Sequence, residues 1–350
     1  MRYIGNKTKL LGWVFEHLTY QLDKLGISPE EATFLDGCTG TGTVAAHAAE
    51  RGFRVIANDL LPFAAKAAEG RLCFPASRLE EARNLISEIN SLPPEPGFFF
   101  QNYTAQGGRT YLTEENGQRV DAMRVFIRRV SDPVLQNYLW LCLLEAFSKV
   151  TNTTGTHAAF LKELAPNALV PLRLEPVQPV TGSGRHHAVY QGDIINLLPA
   201  LGEETVLYLD PPYNTRQYAP NYHLYNTLVG PDPVIKGKTG LPEDAPSSEF
   251  CKSDPAEVAS FFKRVLSATR ARVVMISYSS DSTLSLDAMI PTLFQAFASR
   301  DDFRVEVQVK EYKRFRSADG DQPQREEPLY EYLVIGVDES QPTLDGLFGG

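Results

Sequence analysis

Short apolar segments alternate with helical segments over the first 74 residues and again after residue 186. The predicted strands are residues 32–36, 54–58, 188–191, 206–210, 272–278, 303–312 and 329–337. Such alternation is typical of an α/β fold with a mostly parallel sheet. The length of 350 residues suits one large domain with an insertion, or two domains.

The alternation stops between residues 75 and 185, where the pattern becomes helical and turn-rich. This segment contains eleven Lys or Arg and eleven Asp or Glu residues, so the net charge of −9 is carried entirely by the rest of the chain. A relatively basic segment in an acidic chain is compatible with a surface that faces a polyanion. The pattern therefore predicts an inserted, mainly helical region.

A glycine-rich loop follows the first predicted strand. Gly40 and Gly42 precede a helix of small residues, and Asp59 comes nineteen residues after Gly40, just after the second strand. Glycines let a ligand approach the backbone closely, and this spacing fits a dinucleotide-binding fingerprint. The loop predicts a nucleotide site without identifying the nucleotide, and an ordinary strand–helix turn is the alternative.

Three acids suit S-adenosylmethionine as the ligand. Asp36 ends the first strand and is placed to face the positively charged methionyl part, while Asp59 is placed to accept the ribose hydroxyls. Asp193 follows the third strand and is placed to reach the adenine amino group. For Asp193, a role as helix N-cap is an open alternative, and one side chain could serve both roles.

Asp210-Pro211-Pro212-Tyr213 ends an apolar strand, where ligands bind in open α/β sheets. The prolines fix φ and carry no N–H, so this backbone is rigid. Methyl transfer to an exocyclic amine suits such a segment. Asp210 and the Pro211 carbonyl would accept the amine hydrogens, and Tyr213 would stack on an extruded base. A plain turn is the alternative.

Four parts of the chain carry a resemblance to a known family. They are residues 2–7, the glycine loop with Asp59, residues 210–223, and the pair 274–278 and 310–315. On these motifs the chain resembles the Dam-like class of adenine-N6 DNA methyltransferases, most of all the methylases that accompany type IIS restriction enzymes. It departs where Gly37-Cys38 follows the first acid, since the family often has an aromatic residue there.

The resemblance implies transfer of a methyl group from S-adenosylmethionine to adenine N6 in double-stranded DNA by base flipping, as part of a restriction–modification system. It implies a Rossmann-like sheet, mostly parallel with an antiparallel C-terminal hairpin strand. It also implies that Tyr3, Gly5 and Lys7 contact the cofactor. The expected partners are double-stranded DNA and a cognate restriction endonuclease, and the expected form is a monomer.

The resemblance also implies a division of the chain. Residues 1–74 and 186–337 would form the catalytic domain, residues 75–185 the inserted target-recognition region, and residues 338–350 a flexible tail. Several polar residues are candidates for DNA contact. They are Arg124 and Arg128 on one predicted helix, Arg216, Gln217 and Tyr218 after the catalytic segment, and Lys313 and Arg314 near the C-terminus. A solvated basic face is the alternative for the arginine pair and for the C-terminal lysine and arginine.

The sequence lacks motifs that are typical of several other classes of protein. No proline precedes any of the four cysteines, as cytosine-C5 methylation would require, and no CxxC pair or other metal-binding pattern is present, so no metal is expected. No run of ~18 apolar residues and no secretory signal occurs, so a cytoplasmic protein is expected. The remaining alternatives are the same chemistry on RNA adenine or cytosine N4, an NAD-dependent oxidoreductase, and a silent DNA-binding module.

Overall fold

The computed structural model describes residues 1, 3, 5, 7–181, 187–202, 204–312 and 329–340. The helices are α1 Leu11–Leu25, α2 Thr43–Glu50, α3 Pro62–Leu72, α4 Leu79–Asn90, α5 Phe98–Tyr103, α6 Glu114–Arg129, α7 Pro133–Val150, α8 Ile194–Leu197, α9 Tyr218–Asn221, α10 His223–Val229, α11 Pro255–Ala268 and α12 Leu286–Ala296. The strands are β1 Thr33–Asp36, β2 Arg54–Asp59, β3 Ala188–Gln191, β4 Val206–Leu209, β5 Ile235–Lys236, β6 Leu241–Pro242, β7 Val273–Ser279, β8 Phe303–Tyr312 and β9 Leu329–Asp338.

Seven of these strands form one sheet in the order β3-β2-β1-β4-β7-β9-β8. The pairs β2–β3, β1–β4 and β4–β7 are parallel, whereas β7–β9 and β8–β9 are antiparallel. All residues of β4 and β7 are buried, as expected for central strands covered on both faces. The predicted fold class, a mostly parallel sheet with an antiparallel C-terminal hairpin strand, is confirmed.

Contacts divide the chain into two compact units. The first unit consists of Met1–Leu11, Thr39–Asp193 and Gln217–Ser247. Its core includes buried side chains of α3, α4, α5, α6, α7 and α10. Helices α3 and α7 approach closely because Gly70 has no side chain: a Cβ there would lie 2.5 Å from the Asn137 carbonyl oxygen. Residues 75–181 contain helices and turns and, within the described chain, no strand.

The second unit consists of Gly12–Cys38, Ile194–Arg216 and Ser248–Gly350. Its strands are β1, β4, β7, β9 and β8. In register, Asp36 of β1 lies opposite Tyr208 of β4, and Leu209 lies opposite Ile276 of β7. The carboxyl ends of β1 and β4 therefore lie side by side in this unit.

Residues 230–255 are rich in Pro, Gly and Ser, which is typical of a long loop, and most of them lie outside helices and strands. They contain the antiparallel pair β5–β6, with Lys236 opposite Leu241, and a short 3₁₀ helix, Glu249–Cys251. Residues 341–350, most of the predicted tail, lie outside the described residues. In the described part of the chain, no helix has both the length and the apolarity needed to span a membrane.

Candidate active site

In the first unit, two parallel strands end in acids. Strand β2 ends at Asp59, and β3 is followed directly by Gly192 and Asp193. The Gly192 N–H donates to the Asp59 carbonyl over 2.9 Å, and the Asn58 side-chain amide donates to the Gly192 carbonyl over 3.1 Å. These bonds place the half-buried Asp193 at the strand end near Asp59, and its contact with the cofactor stays a prediction.

The glycine loop has the backbone geometry that glycine makes possible. Gly40 and Gly42 have φ values of 53° and 74°, in the left-handed region that other residues rarely adopt. The Gly40 N–H donates to Oδ2 of Asp59 over 2.8 Å. A Cβ on Gly40 would lie 2.7 Å from the Tyr3 ring, and one on Gly42 would lie 3.2 Å from the Ala68 backbone. The positive φ therefore favours glycine at both positions, and the tight contact with Tyr3 adds to the requirement at Gly40.

Asp59 is the electrostatically unusual acid of this unit. Its side chain is buried, and its two carboxylate oxygens accept the N–H groups of Gly40, over 2.8 Å, and Leu61, over 2.9 Å. Burial raises the pKa of Asp59 to about 6, and the two N–H donors oppose that rise. Each oxygen retains a lone pair that can accept a further hydrogen bond from a ligand.

Tyr3 joins the N-terminal segment to the glycine loop and to α9. Its ring stacks on Tyr222 at 4.7 Å and meets Tyr218 edge-on at 5.7 Å. Gly5, with φ of 77°, lies close to the Tyr218 hydroxyl. The first unit thus brings together three predicted cofactor residues, Tyr3, Gly5 and Gly40, with Tyr218, which we expected to contact DNA. Lys7 is buried, and its carbonyl accepts the Leu10 N–H just before α1.

In the second unit, Asp36 is buried at the end of β1. The Gly37 N–H donates to the Tyr208 carbonyl over 2.9 Å, which extends the β1–β4 pairing. A Cβ on Gly37 would lie 2.7 Å from Leu209 and 3.4 Å from Ile194. Gly37, where the chain departs from the family pattern, therefore packs closely against the Leu209 side chain.

The segment Asp210–Tyr213 leaves β4 without regular structure, with Pro211 buried and the other three residues half-buried. The Tyr213 carbonyl accepts the Thr283 N–H over 2.8 Å, which fixes the end of the segment. The pKa of Tyr208 is raised well above its usual value, first by burial and then by the charges of Asp210 and Asp36. Asp36 and Asp210, at the ends of β1 and β4, thus both raise the pKa of the buried Tyr208 hydroxyl.

The DNA-contact candidate Arg124 occupies a different environment from the one we predicted. It is 2% exposed, and its guanidinium donates to the carbonyls of Thr227 and Leu228 over 2.8 and 3.0 Å and to the Asp232 carboxylate over 2.8 Å. It also donates to the Gly230 carbonyl over 3.2 Å. The expectation that Arg124 contacts phosphate is wrong, because its donors hold the end of α10 and the segment that follows it.

The other DNA-contact candidates lie at the surface or outside the described residues. Arg128 is exposed, donates to the Gly230 carbonyl, and lies 3.8 Å from Asp232. Arg216 is exposed and its N–H donates to Asn214, while the Gln217 carbonyl accepts the Asn221 amide in the first unit. Lys313 and Arg314 lie outside the described residues. For Arg128, Arg216, Gln217, Lys313 and Arg314, DNA contact stays a prediction.

Sequence reasoning missed a buried histidine pair next to α9. The His157 N–H donates to the Asn221 carbonyl over 2.7 Å, and Nε2 of His223 donates to the His157 carbonyl over 2.9 Å. Burial lowers the pKa of His223 to about 4 and that of His157 well below its usual value, so both rings are neutral. The sequence around His157 contains no motif that predicts this pairing.

Comparisons with known proteins identify the family that this chain resembles. Residues 3–280 match the family model described as D12 class N6 adenine-specific DNA methyltransferase. The type II methyltransferase M.NlaIII of Neisseria lactamica is 34% identical over 325 residues, covering 91% of this chain and 93% of that protein. M.CviAII of Paramecium bursaria Chlorella virus 1 is 33% identical, covering 90% and 92%. M.FokI of Planomicrobium okeanokoites is 29% identical, covering 95% of this chain and 52% of that protein.

Proposed function

This chain belongs to the D12 class of N6 adenine-specific DNA methyltransferases, and from that premise we propose how it works. It transfers the methyl group of S-adenosylmethionine to N6 of one adenine within a specific site of double-stranded DNA. The adenine is flipped out of the duplex to reach the segment Asp210–Tyr213. The position of that segment, at the carboxyl end of buried strand β4, carries the proposal.

S-adenosylmethionine supplies the methyl group, and Asp59 supports this choice of cofactor. Its carboxylate holds the glycine loop through Gly40 and keeps lone pairs that can accept the two ribose hydroxyls. The acid that suits the cationic methionyl part is Asp36, and the acid that suits the adenine amine is Asp193. The other proposed cofactor residues are Tyr3, Gly5, Lys7, Gly40 and Gly42.

The proposed chemistry at Asp210 needs no covalent intermediate. The adenine amine lone pair is delocalised into the ring, which makes it a weak nucleophile. Hydrogen bonds from that amine to the Asp210 carboxylate and the Pro211 carbonyl localise the lone pair on nitrogen and orient it. Pro211 and Pro212 keep the backbone rigid, and Tyr213 stacks on the flipped base, which stabilises it by ~1–3 kcal/mol.

The biological setting is also part of the proposal. The relatives named above are type II methyltransferases, which supports a role beside a cognate restriction endonuclease. Residues 75–185 are proposed to include the target-recognition region, between the glycine loop and Asp193 in the chain. A monomer in the cytoplasm is proposed as the active form.

The test is methyl transfer from methyl-labelled S-adenosylmethionine to unmethylated genomic DNA, with structured RNA in a parallel reaction. Label in the N6-methyladenine nucleoside of DNA is the expected result; label only in RNA would refute the DNA substrate. Asp210→Ala should abolish turnover and keep cofactor affinity within a few-fold. Asp301→Ala, which removes an exposed acid, is the control and should keep full turnover. Turnover retained in Asp210→Ala would overturn the catalytic role.

A further inference from the structure

The antiparallel pair β5–β6 and its turn form a short hairpin, residues 234–243, which we call the basic hairpin. The Glu243 N–H donates to the Val234 carbonyl over 3.0 Å and closes it. Val234 is 72% exposed, while Ile235 packs against the core of the first unit. A two-stranded hairpin of this size is marginally stable in water by itself, so other groups must hold its conformation.

Arg109 holds the turn of the basic hairpin. Its Nε donates to the Lys238 carbonyl over 3.2 Å, and Nη2 donates to the Gly237 carbonyl over 3.1 Å. The remaining guanidinium nitrogen, Nη1, donates to the carbonyls of Asn102 and Gly107 over 3.1 and 3.2 Å. One side chain thus ties the turn to the end of α5 and to the segment that follows it, and its donors are used within the protein.

Tyr103 holds the other side of the turn. Its hydroxyl donates to the Gly240 carbonyl over 2.8 Å. Gly240 has φ of 69°, and a Cβ there would lie 2.8 Å from the Tyr103 ring and 3.0 Å from Nε of Arg109. Since Tyr103 is fully buried, its side chain is held in place by packing and fixes the position of the turn.

The two lysines of the basic hairpin are available to bind an anionic ligand. Lys236 and Lys238 are exposed, and neither forms an ion pair with a carboxylate of the described residues. The acid that precedes the hairpin, Asp232, is bound by Arg124 over 2.8 Å and lies 3.8 Å from Arg128. Two other acids are near in sequence, Glu243 and Asp244. They lie where the two strands of the hairpin end, on the side opposite the turn.

We propose that the basic hairpin is a preformed DNA-binding element in which Lys236 and Lys238 contact backbone phosphates of the substrate duplex. A lysine on a fixed turn loses less conformational freedom on binding than one on a mobile loop, which favours binding. Phosphate contacts position a duplex without reading its sequence. The inference rests on the proposed DNA substrate and adds the hairpin to its binding surface.

The test is the salt dependence of DNA binding by the double variant Lys236→Ala/Lys238→Ala. Each phosphate contact contributes about 0.9 to the slope of log affinity against log salt, so the variant should lose about 1.8. Its affinity deficit relative to wild type should therefore shrink about twelvefold between about 50 and 200 mM salt. In turnover assays KM for DNA should rise while kcat stays unchanged, since uniform binding is lost.

Two controls make the result specific. Lys252→Ala/Lys263→Ala removes the same charge from exposed lysines of the second unit and should leave the slope within experimental error of wild type. Lys236→Arg/Lys238→Arg keeps both charges and should keep the slope. If wild type methylates DNA but the alanine variant keeps the wild-type slope, the hairpin proposal is overturned. If wild type fails to methylate DNA, the proposed function itself fails.

Discussion

Cofactor affinity should fall as the pH falls through the pKa of Asp59. In the free protein that pKa is raised to about 6 because the carboxylate is buried, with N–H donors at 2.8 and 2.9 Å only partly offsetting the cost. If the ribose hydroxyls donate to Asp59, the bound state requires the ionised carboxylate. A proton on Asp59 then competes with the cofactor.

The size of this effect follows from the titration. At pH 7 about one molecule in eleven carries the proton on Asp59, which weakens apparent affinity by about a tenth. At pH 5 the protonated form exceeds the ionised form about tenfold, so apparent affinity is about elevenfold weaker. Between these pH values the expected change is therefore about tenfold, or about 1.4 kcal/mol.

Isothermal titration of S-adenosylhomocysteine from pH 5 to 7 measures this change. In this window the ligand's own amino and carboxyl groups do not titrate, because their pKa values lie near ~8 and ~3.5. Asp59→Asn should bind more weakly at pH 7 and lose the pH dependence. Glu69→Gln, which removes another acid whose pKa is raised by burial, is the control and should keep the dependence. A flat wild-type profile, with the fold intact at pH 5 by circular dichroism, would refute the reasoning.

Three further predictions concern the base, the core and the histidine pair. Tyr213→Ala should lower kcat/KM by about 5- to 150-fold through lost stacking, whereas Tyr213→Phe should stay close to wild type. Arg124→Met should lower the unfolding free energy in urea by about 1–3 kcal/mol, because three carbonyls lose a buried donor, whereas the half-exposed Asp232 can be hydrated. Arg128→Ala should change it by less than ~1 kcal/mol. The pKa of His223 is about 4 in the folded state and 6.5 in the unfolded state, so its neutral ring stabilises the fold fully above pH 6.5. This contribution to the unfolding free energy should fall by about 3 kcal/mol as the pH is lowered to 4. His223→Gln should remove this part of the loss of stability in acid.

The strands and the two acidic strand ends were predictable because their signals are local. All seven strands of the main sheet begin and end within one residue of the prediction. Apolar runs bounded by glycine, proline and acids mark such strands regardless of what packs on them. Likewise, the bond from Gly40 to Asp59 joins two parts of one recognisable motif.

The basic hairpin was not predictable, because its stability depends on residues far away in sequence. The bonds that fix its turn come from Arg109, 128 residues away from Gly237, and from Tyr103, 137 residues away from Gly240. Its strands are two residues long, which is too short for a periodic pattern. Composition therefore indicated a loop.

The burial of Arg124 has a signal in the sequence of α6. Arg124 comes four residues after Val120 and three before Ile127, both fully buried, so it borders the apolar face of α6 rather than an opposite basic face. A buried guanidinium needs acceptors, and the chain supplies them from the end of α10 together with Asp232.

The burial of Arg124 affects DNA binding indirectly. By neutralising Asp232, four residues before Lys236, Arg124 removes a negative charge that would oppose phosphate contact at the basic hairpin. In the proposed complex, this acidic chain binds DNA through exposed lysines that are held in place, while its arginines cancel nearby acids.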